Sequence, residues 1–230
     1  MEFMFDNKLF GVVFSIGMFQ LGKYIQEKTK FPIFNPILVA GIGIILTLKI
    51  FDIPLEYYNQ GSSMIDFFLP PATVLLAMPL YRQFGLLKKY WLPVIVGGCA
   101  GSLVAILSIY FGGKLLGIDQ KLILSFIPKS ITTPFGMELS EMIGGIPSIT
   151  VFSIAITGIT GNVVAVYLYK FLGDLHPIAK GVGIGVSSHA GGTSKAIEMG
   201  EIEGAMSALS IVVAGIITIF MTQILIPYLK

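Results

Sequence analysis

Long intervals of this chain carry no Asp, Glu, Lys or Arg, and they constrain its fold more than any other feature. They run from Leu9 to Gly22, Phe31 to Leu48, Phe67 to Tyr81, Trp91 to Gly113, Met142 to Tyr169 and Gly204 to Leu229. Crossing the hydrocarbon core takes about 20 mostly apolar residues in a helix, so each interval is a candidate span, the first and third needing flanking residues to reach that length. The runs are continuously apolar rather than alternating, which disfavours a β-barrel. Across all 230 residues, 54% are hydrophobic and 12% charged. An ordinary soluble domain is about 25% charged, so water is not the solvent of this fold.

Two further segments are apolar but interrupted: Leu122 to Gly145, containing IPKSITTPFGMELSE, and His176 to Met199, containing GVGIGVSSHAGGTSKA. The expectation is an all-α polytopic transmembrane protein of about seven or eight membrane segments, two of them broken or unwound. No linker or low-complexity tract divides residues 1–230, so a single domain is expected. An internal repeat is suggested by PPATVLLAMPLY at Pro70 to Tyr81 and PKSITTPFGMEL at Pro128 to Leu139. Met1 to Lys8 lacks the basic region and cleavage site of a signal peptide, so the first apolar run reads as a retained helix.

Lys23, Lys28 and Lys30 follow the first interval, and Arg82, Lys88 and Lys89 follow the third. Two spans separate these connections, so both lie on one side, cytoplasmic by the positive-inside rule, with the N-terminus outside. Beyond Gly113 the charges stop deciding. If 122–145 crosses, Lys170 and Lys180 fall outside and Glu198, Glu201 and Glu203 inside; if it re-enters, both reverse. Re-entry fits the Lys bias better, and the side of the C-terminus stays open.

The net charge of +2 is spread thinly, so nucleic acid is an unsuitable partner. The single cysteine, Cys99, lies in an apolar run and reads as a small hydrophobe. No Walker motif, HExxH or GxSxG is present and no cofactor is expected, so an enzyme is disfavoured. Glu138 and Glu141, three apart on a helix face, do not form a hydrolytic pair.

The chemistry concentrates at the interruptions. Pro128 and Pro134 each remove a backbone donor and disfavour helix just before themselves, so the residues between them should be extended or unwound. Such backbone survives at membrane depth only inside protein or beside a water-filled cavity. Ser130, Thr132 and Thr133 can satisfy the freed groups, and Lys129 adds a positive charge. In the second interruption Gly191 and Gly192 permit unusual backbone, Thr193 suits a cap for the following half-helix, and Ser188 and His189 complete the candidate site. Half-helix N-termini and a cation together suit a small carboxylate. Blander readings stand beside these: a structural kink at either break, snorkelling of Lys129, packing of His189, interhelical bonding by Asn162, an interfacial Asp66, and simple packing by Gly97, Gly98 and Gly101. Tyr81, with Pro70, Pro71 and Pro79 before it, reads equally as gate or kink, and Asn162, Pro128 and Pro134 are further gate or coupling candidates.

Several motifs in order make the chain resemble the LrgB/CidB family of bacterial membrane proteins: Pro79-Leu80-Tyr81, the segment Pro128 to Pro134, Gly144-Gly145-Ile146-Pro147, and Gly185 to Ala196 with His189, Gly192 and Thr193 in place. Phe135-Gly136 and Lys195 depart mildly from the family pattern. The resemblance implies a multi-pass protein of the bacterial plasma (inner) membrane, in contact with lipid. It also implies two activities: transport of small monocarboxylates such as pyruvate, glycolate or lactate, and, with a holin-like LrgA/CidA partner, modulation of murein hydrolase activity and autolysis. A proton or Na⁺ as coupling ion and a symmetric homo-oligomer are further expectations.

Overall fold

Helix is the only regular structure among the described residues of this computed structural model, which are 7–31, 34, 36–68, 71, 74–75, 77–82 and 84–229. Lipid offers the backbone no hydrogen bonds, and a helix satisfies its own. The chain divides into two compact units at residues 72 and 73.

The first unit holds α1 (Lys8–Thr29), α2 (Pro36–Ile50) and α3 (Leu55–Asp66). Asn7 caps α1 by accepting from the Leu9 N–H at 3.0 Å, and Lys30 closes it in a left-handed conformation. Glycines set the packing of this unit. A side chain at Gly11 would run into the Tyr58 carbonyl, and one at Gly22 would lie 2.8 Å from that of Pro36. The Ser15 hydroxyl meets the Tyr58 hydroxyl at 2.8 Å, tying α1 to α3.

The expected break of the Phe67–Tyr81 interval rests on Pro70, Pro71 and Pro79; Pro70 lies outside the described residues, whereas Pro71 and Pro79 have helical backbone. The second unit begins at residue 73. The short α4 (Ala77–Arg82) follows, then α5 (Phe84–Leu115), α8 (Pro147–Leu172) and α10 (Glu201–Leu229). These last three are long and apolar enough to cross a membrane. Pro93 cannot donate to the preceding turn, and Tyr90 just before it leaves helical geometry, kinking α5. Helices α5 and α10 run parallel. Val94 clusters with Met206 and Leu209, the Thr218 hydroxyl donates to that of Ser102 at 2.9 Å, and Ile106 clusters with Ile226 and Leu229. The Met142–Tyr169 interval is not one helix, because Gly144 at φ 88° ends the preceding element and Pro147 opens α8.

Between α5 and α8 the chain forms a hairpin. Helix α6 (Gln120–Phe126) passes into a 3-10 turn (Ile127–Ser130), Ile131 and Thr132 are extended, and α7 (Thr133–Ile143) returns. The Gln120 amide donates to the Leu229 carbonyl at 3.2 Å, so the hairpin starts at the C-terminal end of α10. Its turn reaches the middle of α10, where Phe135 packs on Gly215. Gly215 lies fourteen helical steps before Leu229, a rise of about 21 Å along α10. The return is fixed beside the outgoing helix α6: Ser125 Oγ accepts from the Ile146 N–H at 2.7 Å, and Thr150 Oγ1 donates to the Ser125 carbonyl at 2.7 Å.

Helix α9 (Pro177–Met199) also doubles back. Its one non-helical residue is His189, at φ 43° and ψ −140°, which reverses the chain. Residues four and eight away on either side of it meet the same part of α10. Gly185 packs on the Ser207 carbonyl while the Thr193 hydroxyl meets that of Ser207 at 2.7 Å, and Gly181 packs on Glu203 while Ile197 packs on Gly204. This second hairpin therefore enters from the N-terminal end of α10. Thr193, expected as a cap, instead lies inside the returning half and donates to the His189 carbonyl at 2.8 Å.

Candidate functional site

Helix α8 seats the second turn against the rest of the unit. A side chain at Gly158 would lie 2.8 Å from the His189 ring, and one at Gly161 would collide with Ser188. The absence of both side chains lets the backbone of the turn approach α8 closely. Asn162, one residue further on, donates to the Gly191 carbonyl at 3.2 Å and to the Ser194 hydroxyl at 2.9 Å, holding the returning half.

His189 is buried and its two ring nitrogens have partners within the protein. Nε2 lies 2.9 Å from the Ile154 carbonyl, and Nδ1 accepts from the Gly191 N–H at 3.4 Å. A carbonyl only accepts, so the proton belongs on Nε2, and the neutral imidazole satisfies both contacts. The ring acts as a strut across the turn.

Lys129 is in a different situation. It is half-buried, its ammonium donates to the Ser130 hydroxyl at 3.0 Å, and among the described residues no carboxylate pairs with it. An ammonium has three donors, so this one retains capacity for an acceptor. Beside it, Thr132 stands at the N-terminus of α7 without making a capping bond, its Oγ1 buried and unpartnered. A cation, a helix N-terminus and free hydroxyl capacity together can receive a small anion.

Two cavities open at Lys129. One, of about 290 Å³, lies between α8 and the first half of α9 and includes Thr157, Thr160, Tyr169, Ser187 and Ser188. The other, of about 520 Å³, lies between α5 and that same half-helix and includes Gly97, Gly101, Ser108, Ser130 and Ser187. Of the site candidates from sequence, Lys129, Ser130 and Ser188 therefore line cavity walls, as do Gly97 and Gly101, which read from sequence as packing residues. Thr132 and His189 build the two turns, and Thr133, Gly191, Gly192 and Thr193 lie in the helices that leave them, none lining either cavity, while Pro128 and Pro134 stand at the starts of the 3-10 turn and α7. Tyr81 is 84% exposed on α4 and lines neither.

The sequence reading passed over Ser187, Thr157, Thr160 and Tyr169. The signal for the threonines was two hydroxyls a turn apart in a charge-free span. Tyr169 lines the smaller cavity, its hydroxyl donating to the Lys180 carbonyl at 3.2 Å. Among the described residues, no three His, Cys, Asp or Glu side chains gather as metal ligands.

Comparison with known proteins gives a consistent result. The family model described as the LrgB-like family matches residues 15–228. The chain is 36% identical to the antiholin-like protein LrgB of Bacillus mycoides (strain KBAB4) over 221 residues, 96% of each chain. It is 35% identical, with the same coverage, to the antiholin-like protein LrgB of Bacillus cereus (strain B4264) and of Bacillus anthracis (strain CDC 684 / NRRL 3495). No solved structure matches.

Proposed function

Because the chain belongs to the LrgB-like family, whose model matches nearly its whole length, we propose that it is a multi-pass protein of the bacterial plasma membrane carrying a small monocarboxylate through the site at Lys129. The observation that carries this reading is the Lys129 ammonium, paired with no carboxylate among the described residues, where two hairpins from opposite ends of α10 meet. An unpaired lysine at membrane depth costs about 2.5–3.5 kcal/mol on insertion scales, a cost a structural residue has no reason to carry. Broken segments meeting near the midplane are how secondary transporters hold ions and solutes, because the ends of half-helices supply partial charges there. In this reading α6–α7 and α9 are re-entrant, α5, α8 and α10 cross, and α1 and α2 help complete about seven or eight membrane segments. A proton or Na⁺ is the coupling ion and the working form is a homo-oligomer.

The test is uptake of labelled pyruvate, glycolate and lactate into proteoliposomes, alone and with an LrgA-like partner, for the wild type, Lys129→Gln and Lys129→Arg. Saturable wild-type uptake that Lys129→Gln abolishes and Lys129→Arg partly keeps supports the site. No flux of these acids from folded protein with its partner present overturns it.

A second reading has its own observation. The relatives are named antiholin-like, and this supports modulation of cell-wall hydrolases with a holin-like LrgA/CidA partner more directly than it supports transport. That reading expects a deletion strain to lyse abnormally with no change in carboxylate flux. Altered autolysis that tracks flux through Lys129 variants would join the two readings into one.

A further inference from the structure

The two cavities lie on opposite sides of the half-helix 177–188, and they share two residues, Lys129 and Ser187. Ser187 is exposed at that junction, although its neighbours Val186, Ser188 and His189 are all buried. Its hydroxyl is loosely held, with the Ile184 carbonyl at 3.4 Å and the Ser188 hydroxyl at 3.0 Å. A bond of 3.4 Å is near the limit for a hydroxyl donor, so the proton can be redirected at small cost.

Resting on the transport reading above, we infer that Ser187 is a second solute-contacting residue, donating to one oxygen of the carboxylate whose other oxygen Lys129 holds. The chemistry fits both ends. An ionised carboxylate is acceptor-only with two oxygens, and ammonium and hydroxyl are both donors. Lys129 supplies the charge that draws any small anion, whereas a neutral hydroxyl orients one that has a second acceptor oxygen. Because only these two of the described residues belong to both cavities, a carboxylate held between them is open to either side of the half-helix. Nearby hydroxyls do not share this property: Ser188 and Thr157 reach only the smaller cavity, Ser130 and Ser108 only the larger.

The sole native cysteine, Cys99, makes a direct test practical. In reconstituted Cys99→Ser/Ser187→Cys protein, reaction with a water-soluble methanethiosulfonate is followed with and without millimolar pyruvate, and again with Lys129→Gln added. The expected result is labelling well above the Cys99→Ser parent, slowed by pyruvate, with protection lost in Lys129→Gln. For uptake, Ser187→Ala should raise KM about tenfold, the size of a lost hydrogen bond to a charged group, with Ser187→Thr restoring most of it. Labelling that pyruvate does not slow, in protein whose wild type takes up pyruvate saturably, overturns the role of Ser187 and leaves the transport reading standing. Protection without flux in the wild type keeps the contact and removes the transport reading.

Discussion

His189 sits at φ 43° and ψ −140°, a conformation that suits glycine, and it is the residue that reverses α9. Holding a non-glycine residue there costs about 1–3 kcal/mol, sustained by the surrounding contacts. Two substitutions separate that strain from the loss of the imidazole. His189→Gly and His189→Ala both delete the ring, its bond to the Ile154 carbonyl and its packing against Gly158. The bond alone accounts for about 0.6 kcal/mol on average, and up to about 1.7, for an interhelical hydrogen bond in a membrane protein. Both variants should therefore be less stable than wild type. Only the glycine variant escapes the backbone strain, so it should be more stable than the alanine variant by about 1–3 kcal/mol. An unbroken helix predicts the opposite order, with glycine about 1 kcal/mol worse than alanine. The assay is equilibrium unfolding in mixed micelles of mild detergent and dodecyl sulfate, with both variants read against wild type. Alanine equal to or more stable than glycine would mean that residue 189 is helical and that the second hairpin does not exist.

Three further outcomes follow from the packing. Thr150→Val removes a fully buried hydroxyl 2.7 Å from both the Ser125 carbonyl and the Ser140 hydroxyl and leaves those two buried groups short of a partner, which should destabilise the first hairpin by about 1–3 kcal/mol in the same titration. Gly161→Ala drives a methyl group into Ser188 of the cavity wall, so carboxylate uptake should fall sharply, with Ser188→Gly in the same chain restoring part of it. Lys195→Gln breaks a 2.6 Å pair with the exposed Glu198 one turn away, and stability should change by less than about 0.5 kcal/mol, because such helix-surface pairs contribute little.

The sequence determined what depends on a residue and its near neighbours in the chain. Lengths of charge-free sequence determine that helices enter lipid, since the cost of a charge in hydrocarbon is local to each residue. Pro128, Pro134, Gly191 and Gly192 mark where helix is expensive, and Lys129 is conspicuous between the prolines because no acidic residue adjoins it. The family pattern, spread over four motifs, is likewise legible residue by residue.

What the sequence left open, the tertiary structure decided. Whether α9 runs straight or doubles back depends on whether Gly185 and Thr193 can share Ser207 of α10, a contact between residues 14 and more apart in the chain. The role of His189 turned on the Ile154 carbonyl, 35 residues away, which makes the ring a strut outside the cavity. Asn162 became a clamp through Gly191 and Ser194, about 30 residues on. Ser187 and Ser188 look alike in the sequence, yet one faces the junction of both cavities and the other packs on Gly161. The physical reason is the same each time: propensity and hydropathy are properties of a residue and its turn, whereas the partner a polar group finds in the membrane interior is fixed by which helices pack beside it.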